Sequence, residues 1–376
     1  MEDMLGLRSL RAACGFLLLL LAPIMAQADE IAISPAILEA TEALRQSGAS
    51  VNYYENAEGQ MLFNVNFVDA AATEENLRHL VKLPHVERLW LGRSFKLNER
   101  SWEAIMQLRE LEYLYLHSQP TDDDMRQIAQ LTNLRTLLID GRNLSNIGLW
   151  YLEELRFLEN LTIQSASFDG DCFHYLANVR SLTNLTLQSD KLKSSDLAGL
   201  GELPQLELLF LSVQSVDGAG FAEIGKLTHL RSLNLRNVRT TAEQMKPLAQ
   251  LQELQFLTMN DSSIKGGLGP IGDLRDLHRL ELANSTIRDE DLDSLQQLPL
   301  LANLNLAHTK ITDAGLVKLG QMKRLNTLNV RNTTVTKEGL QALQGKWPQL
   351  IISASINFIE PQVSPEAKLK SPNLKE

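Results

Sequence analysis

The chain has 376 residues, 44% of them hydrophobic and 22% charged, and 72 are leucine. Leucine is about twice as frequent as usual while aromatics are only 6%, which excludes an ordinary mixed core and also excludes disorder. The net charge of −10 disfavours nucleic acid and anionic membrane surfaces as partners, and two cysteines exclude a disulfide framework and a four-cysteine zinc site.

Residues 1–28 read as a secretory signal. Arg8 and Arg11 form its basic start, an apolar run covers 12–21, Pro23 breaks it, and Ala26-Gln27-Ala28 is a small-residue cleavage site. The run is too short for a spanning helix, which takes about 20 residues. Cys14 precedes most of the run, so a lipid-anchoring cysteine does not fit. The expected mature chain begins at Asp29 and is exported, to the periplasm or beyond the cell. Residues 29–61 are expected to form an N-terminal cap. Ile37, Ala40 and Leu44 stand at helical spacing between Pro35 and Gln46. Apolar stretches at 51–54 and 62–67 flank a polar turn, as in a hairpin.

Over 62–349 one pattern recurs, apolar-x-x-apolar-x-apolar. Its copies begin at Leu62, Val86, Leu111, Leu134, Leu158, Leu182, Leu206, Leu230, Leu254, Leu277, Leu301 and Leu325, with a degenerate one near Leu350. The mean step is 24 residues. In the copy at Leu301, Leu304 and Leu306 alternate with Asn303 and Asn305, which is a short strand with one buried face. Thr312 or Asp313 then caps a helix that carries Leu316, Leu319 and Met322. Leu185 and Leu187, followed by Leu197, Leu200 and Leu203, repeat the arrangement. No unit of strand, turn and short helix can bury its own apolar face, so neighbours must stack.

These residues resemble leucine-rich-repeat proteins. In particular they resemble the subclass of bacterial exported proteins with about 24 residues per repeat and a Thr-Asp-x-Gly-Leu helix start, and they are similar to the repeats of F-box proteins. The resemblance implies an α/β solenoid shaped as a horseshoe, with parallel strands on the concave face and short helices on the convex one. It implies little about function, because such folds host unrelated roles.

Two copies depart from the pattern. Four glycines and a proline over 265–272 predict an irregular turn in place of a helix, and 93–100 predicts a longer turn. At the far end Trp347, Pro348, Leu350, Ile351 and Ile352 are expected to close the stack, and 350–359 is expected to form the C-terminal cap. Residues 360–376, with three prolines among Lys, Ser and Glu, read as a disordered tail.

No phosphate loop, nucleophile elbow, zinc-protease motif or Cys-x-x-Cys is present, so the expectation is a non-enzyme with no cofactor and no metal. Cys172 precedes the apolar Phe173 and reads as a structural thiol. No two of the seven histidines share the i, i+4 spacing of a helical metal pair. Asp122-Asp123-Asp124 and Asp289-Glu290-Asp291 read as helix caps. Six Asn-x-Ser/Thr sequons, at Asn143, Asn160, Asn184, Asn260, Asn284 and Asn332, matter only in a host that glycosylates.

A ligand belongs on the exposed positions. The second and fourth residues after each first apolar residue point out of the concave sheet and line up as ladders. Five of these 24 positions are aromatic: Trp90, Tyr113, Tyr115, Phe210 and Phe256. Leu138 and Leu208 add aliphatic surface, and Arg88, Arg93 and His117 stand near the first three rings. Aromatic and arginine side chains on a rigid surface are typical binding hot spots, although the same rings could merely stabilise the sheet as cross-strand pairs. Asn303, Asn305, Thr327, Asn329 and Arg331 form a polar ladder, open to a polar ligand or simply solvated. The expected function is a non-enzymatic exported module that binds a protein or peptide on its concave face. The alternatives are a carbohydrate or cell-wall binder using the polar ladder, and an F-box-like substrate receptor. Nucleic acid is not expected as a partner, nor is a membrane span beyond the signal.

Overall fold

Alternating leucines hold each copy extended, and the 24-residue period sets one copy beside the next. The computed structural model describes residues 34–355 except 68–72, 167, 169, 190–191 and 214. The expected signal over 1–28 and the expected tail over 360–376 lie outside the described residues, as do 29–33 and 356–359 of the two expected caps. Among the described residues one sheet holds fourteen strands in chain order. They are β1 (Ser50–Glu55), β2 (Met61–Phe67), β3 (Val86–Leu91), β4 (Tyr113–Leu116), β5 (Thr136–Asp140), β6 (Asn160–Ala166), β7 (Asn184–Ser189), β8 (Leu208–Ser212), β9 (Ser232–Arg236), then, after β10 (Arg239–Thr241), β11 (Phe256–Thr258) and, after β12 (Ser263–Lys265), β13 (Arg279–Glu281), β14 (Asn303–Asn305), β15 (Thr327–Asn329) and β16 (Ile351–Ser353). β1 and β2 pair antiparallel, and every later neighbour in the sheet is parallel. β10 and β12 form a separate parallel pair.

The core is a column of leucines. Leu89, Leu114, Leu137, Leu161 and Leu185 stand in register on successive strands, and all are buried. Each contributes about 1.5–3 kcal/mol of transfer free energy. At the N-terminal end the helix Pro35–Gln46 buries Ala40 and Leu44, with Ser34 as its cap and proline in its first turn. At the other end Leu350 is buried, but Ile351 is 66% exposed. This corrects the expectation that Ile351 closes the stack: its register beside Thr327 puts it on the concave ladder. No helix among the described residues is long and apolar enough to cross a membrane.

The convex side is less uniform than the repeat implies. Short α-helices run over Glu74–Leu80, Glu99–Ile105, Asp122–Ile128, Asn146–Trp150, Cys172–Leu176, Gly218–Ile224, Asp313–Leu319 and Lys337–Lys346. Elsewhere the chain forms 3₁₀ helix, at Tyr151–Glu154, Ser194–Leu197, Leu200–Glu202, Lys246–Gln250, Gly269–Asp273 and Asp289–Gln297. Leu197, Leu200 and Leu203 are all buried, although Leu197 and Leu200 lie on two separate 3₁₀ segments broken by Ala198 and the left-handed Gly199. The glycine-rich copy is more ordered than expected. Lys265 ends β12, Gly266 and Gly267 take left-handed conformations with φ of 81° and 91°, and 3₁₀ helix follows. The longer turn after β3 tucks in Phe95 and ends at Asn98, which caps Glu99–Ile105. From β11 onward the strands shrink to three residues. There β11, β13, β14 and β15 are followed by left-handed Asp261, Asn284, His308 and Asn332, residue types enriched in that region.

Helix starts are tied to one another across repeats. Asp122 accepts hydrogen bonds from the amide and hydroxyl of Ser145, at 3.0 and 2.6 Å. Asp289 does the same for Thr312 and Asp313 for Thr336. Asp217 receives the Ser194 hydroxyl at 2.6 Å. That bond, with the Gly220 and Ala219 amides, holds its carboxyl below the ordinary carboxylate value.

Candidate functional site

Period-two alternation presents two ladders on the concave face. One runs through Arg88, Tyr113, Thr136, Asn160, Asn184 and Leu208, the other through Trp90, Tyr115, Leu138, Thr162, Thr186 and Phe210. Strand spacing of about 4.8 Å brings neighbouring rings into contact. Trp90 and Tyr115 stack with centroids 4.9 Å apart and planes 4° from parallel. The Arg88 guanidinium carbon sits 4.1 Å from the centroid of the Tyr113 ring, a cation–π contact. Leu138 stands beside Tyr115 in the next strand.

Two further residues complete this cluster. Glu87 is a buried carboxylate. Arg88 Nε donates to its Oε2 at 3.2 Å, and the Tyr54 hydroxyl donates to the same oxygen at 2.8 Å. Pairing and hydrogen bonding are what make such a burial tolerable. Burial, then the Glu87 hydrogen bond and charge, push the Tyr54 phenol up to about 12. Burial, the largest single influence, would lower the Arg88 guanidinium, but the Glu87 charge and hydrogen bond together with the neighbouring Tyr113 and Tyr54 outweigh it, and the net shift is upward. The cap hairpin is thus fastened to the concave face. Sequence reasoning misses both residues, because Tyr54 reads only as part of the hairpin and Glu87 stands one residue before the first ladder position, Arg88. The available signal was a glutamate just before the first ladder position, which recurs as Glu112, Glu159 and Glu207.

His117 and Arg93 lie at the edge of the cluster, beyond their strands. His117 is half-buried and Arg93 exposed. Burial, then the Arg93 charge, lower the imidazole pKa, with Asp140 opposing. An NMR titration is therefore expected to place the His117 midpoint below the ordinary 6.5. The folded value lies below the unfolded one, so stability is fully present above the unfolded value and falls as pH drops toward the folded value. A midpoint at or above 6.5 would show that His117 is solvated.

Phe210 and Phe256 do not join the first three rings. Phe210 lies four strands from Tyr115, with Leu208 on the same strand, and Phe256 two strands further on. Phe256 and Leu208 are exposed and Phe210 half-buried, so the concave face carries two apolar patches. Between and beyond them the polar ladder bonds to itself. The Asn160 side-chain amide donates to the Thr136 hydroxyl at 3.3 Å and accepts from the Asn184 amide. Thr327 donates to Asn303, and Asn305 and Arg279 both donate to Glu281. Arg331 is exposed beyond β15 and its amide donates to Asn329.

The acidic clusters act as caps. Asp124 accepts from the Thr121 amide and hydroxyl and from the Trp102 indole at 2.7 Å, and Asp291 accepts from the Arg288 amide. Among the described residues no group of three or more His, Cys, Asp or Glu could hold a metal ion. Cys172 is a buried thiol.

No family model matches the sequence, and a search of curated proteins finds no match. Solved structures do match. An internalin from Listeria monocytogenes is 19% identical, with a TM-score of 0.60 over 86% of this chain and 94% of that one. TLR13 in complex with the RNA ssRNA13 is also 19% identical, with a TM-score of 0.50 over 71% of this chain and 38% of that one. A leucine-rich-repeat protein from Leptospira interrogans is 18% identical, with a TM-score of 0.43 over 73% of this chain and 86% of that one. At these identities the likeness to the first two concerns the fold, and together with the strand-by-strand register it shows a leucine-rich-repeat fold.

Proposed function

We propose that this chain is an exported recognition module, without catalytic activity, that binds a protein or peptide on its concave face at Trp90, Tyr113 and Tyr115. The observation that carries this reading is the locked ridge formed by Trp90 on Tyr115 and Arg88 on Tyr113. Rings already fixed by stacking lose little freedom when a partner docks, and aromatic and arginine residues in such settings carry most binding energy. The same geometry speaks against a glycan. A sugar ring stacks on an open aromatic face, whereas the inner faces here are taken by neighbouring side chains. The ladder amides that would meet sugar hydroxyls bond one another instead. The TLR13 neighbour holds an RNA, so the fold accommodates nucleic acid. Here a net charge of −10 opposes a phosphate backbone. Export rests on the signal read in residues 1–28, and the absence of catalysis on the lack of a catalytic constellation in the sequence.

Selection of a displayed random peptide library on the mature chain tests the site. Selected peptides are expected to lose at least tenfold in affinity against the triple variant Trp90→Ala, Tyr113→Ala, Tyr115→Ala. Cross-strand pairs are worth about 0.2–1 kcal/mol each, so the variant should keep its circular dichroism spectrum. Unchanged affinity in a folded variant would reject the site.

A further inference from the structure

Among the twelve repeat strands from β2 to β15, only β4 and β8 carry apolar side chains at both concave positions, Tyr113 with Tyr115 and Leu208 with Phe210. They lie four strands apart in the sheet, and beside each an arginine stands between two glutamates. Beside β4, Arg135 bridges Glu112 at 3.4 Å and Glu159 at 2.8 Å. Beside β8, Arg231 lies between Glu207 at 3.9 Å and Glu253 at 4.0 Å. Each trio leaves one negative charge in excess, and all four carboxylates are at least a third exposed. The ladder charges are paired within the protein, Arg88 with Glu87 and Arg279 with Glu281.

We propose that the concave face displays one binding unit twice, and that it takes a single extended peptide segment carrying two apolar residues, each next to a lysine or arginine. This rests on the reading that the concave face binds a peptide, and it adds the ligand's charge and spacing. Four strand steps of about 4.8 Å span about 19 Å, which an extended chain rising about 3.3 Å per residue covers in about six residues. An even separation returns both apolar side chains to the same side of the segment. The intervening strands β5, β6 and β7 present Thr136, Leu138, Asn160, Thr162, Asn184 and Thr186 to it, none of them charged, so the spacer is uncharged. The excess carboxylates on both rims select the two basic residues.

Three fluorescein-labelled Ser/Ala peptides test this by anisotropy on the mature chain: two Lys-Phe pairs with the phenylalanines at i and i+6, two pairs at i and i+3, and one pair alone. The i, i+6 peptide is expected to bind at least tenfold tighter than the other two. The double variant Leu208→Ala, Phe210→Ala should bring it down to the single-pair affinity. Glu207→Gln with Glu253→Gln, which leaves the apolar pair in place, should weaken it at least threefold. Equal affinity of the three peptides, or no response to either variant pair, would overturn the proposal. If the i, i+6 peptide shows no advantage while library-selected peptides still depend on Trp90, Tyr113 and Tyr115, this inference falls and the concave site stands. If nothing depends on those three residues, both fall.

Discussion

Alanine at Gly225 is expected to destabilise the protein by about 3 kcal/mol, the upper part of the usual range for over-packing. Gly225 follows the helix Gly218–Ile224 with φ of −63°, so its backbone would suit any residue. The obstacle lies in the next repeat. A Cβ at Gly225 would sit 2.6 Å from the Pro247 carbonyl oxygen and 2.9 Å from Pro247 Cβ. Pro247 belongs to the 3₁₀ helix Lys246–Gln250, and its ring fixes φ, so it cannot withdraw as a flexible side chain could. The two repeats must separate, which loosens the packing of the buried Phe221, Ile224 and Leu248. Gly345→Ala is the control, because nothing lies within 4 Å of its Cβ. There the ordinary helical gain of about 0.5–1 kcal/mol is expected. Urea denaturation of both variants measures the difference. A loss below about 1 kcal/mol at Gly225 would mean that the spacing between repeats is soft.

The strand half of this fold was legible because two periods agree: leucine alternates every second residue, and the motif returns after about 24. Together they place the ladder positions residue by residue, Tyr113 beside Arg88 and Tyr115 beside Trp90. The convex half was not legible to the same degree. Over two turns a spacing of three fits both an α-helix and a 3₁₀ helix, and Leu197, Leu200 and Leu203 alone do not decide between them. At the candidate site, residue type singled out the rings, but type says nothing about grouping. Phe210 resembles Tyr115 as a residue and lies four strands away. The Tyr54 bond to Glu87 joins positions 33 apart, and it depends on how the hairpin meets the first parallel strands, which no periodicity encodes. Ile351 shows the converse error. Hydrophobicity suggested a closing residue, whereas register decides which way its side chain points.

The helix start Thr312-Asp313-Ala314-Gly315 leads to the second large effect. Its threonine caps its own helix, and its aspartate reaches forward to the cap of the next repeat. Asp313 accepts from the Thr336 amide at 2.8 Å and from its hydroxyl, while the Thr336 hydroxyl accepts from the Gly339 amide at 3.1 Å. The glycine makes room for this. The nearest atoms to a Cβ at Gly339 are all of the Asp313 carboxylate, and they would overlap it. The equivalent Gly148 faces Asp122 Oδ1 at 2.6 Å. Gly339→Ala is therefore expected to cost about 2 kcal/mol by expelling the Asp313 carboxylate from its two hydrogen bonds, and Asp313→Ala should cost about as much, the size of a lost cap. The two losses are one loss. With Asp313 already removed, alanine at 339 meets empty space and should cost nothing further, so the double variant should match Asp313→Ala alone. The double-mutant cycle should then show a coupling of about 2 kcal/mol. Hydrogen exchange of the helix Lys337–Lys346 should rise in all three variants, since that helix depends on the Thr336 cap. Additive losses would show that Gly339 serves its own helix and not the carboxylate of the repeat before it.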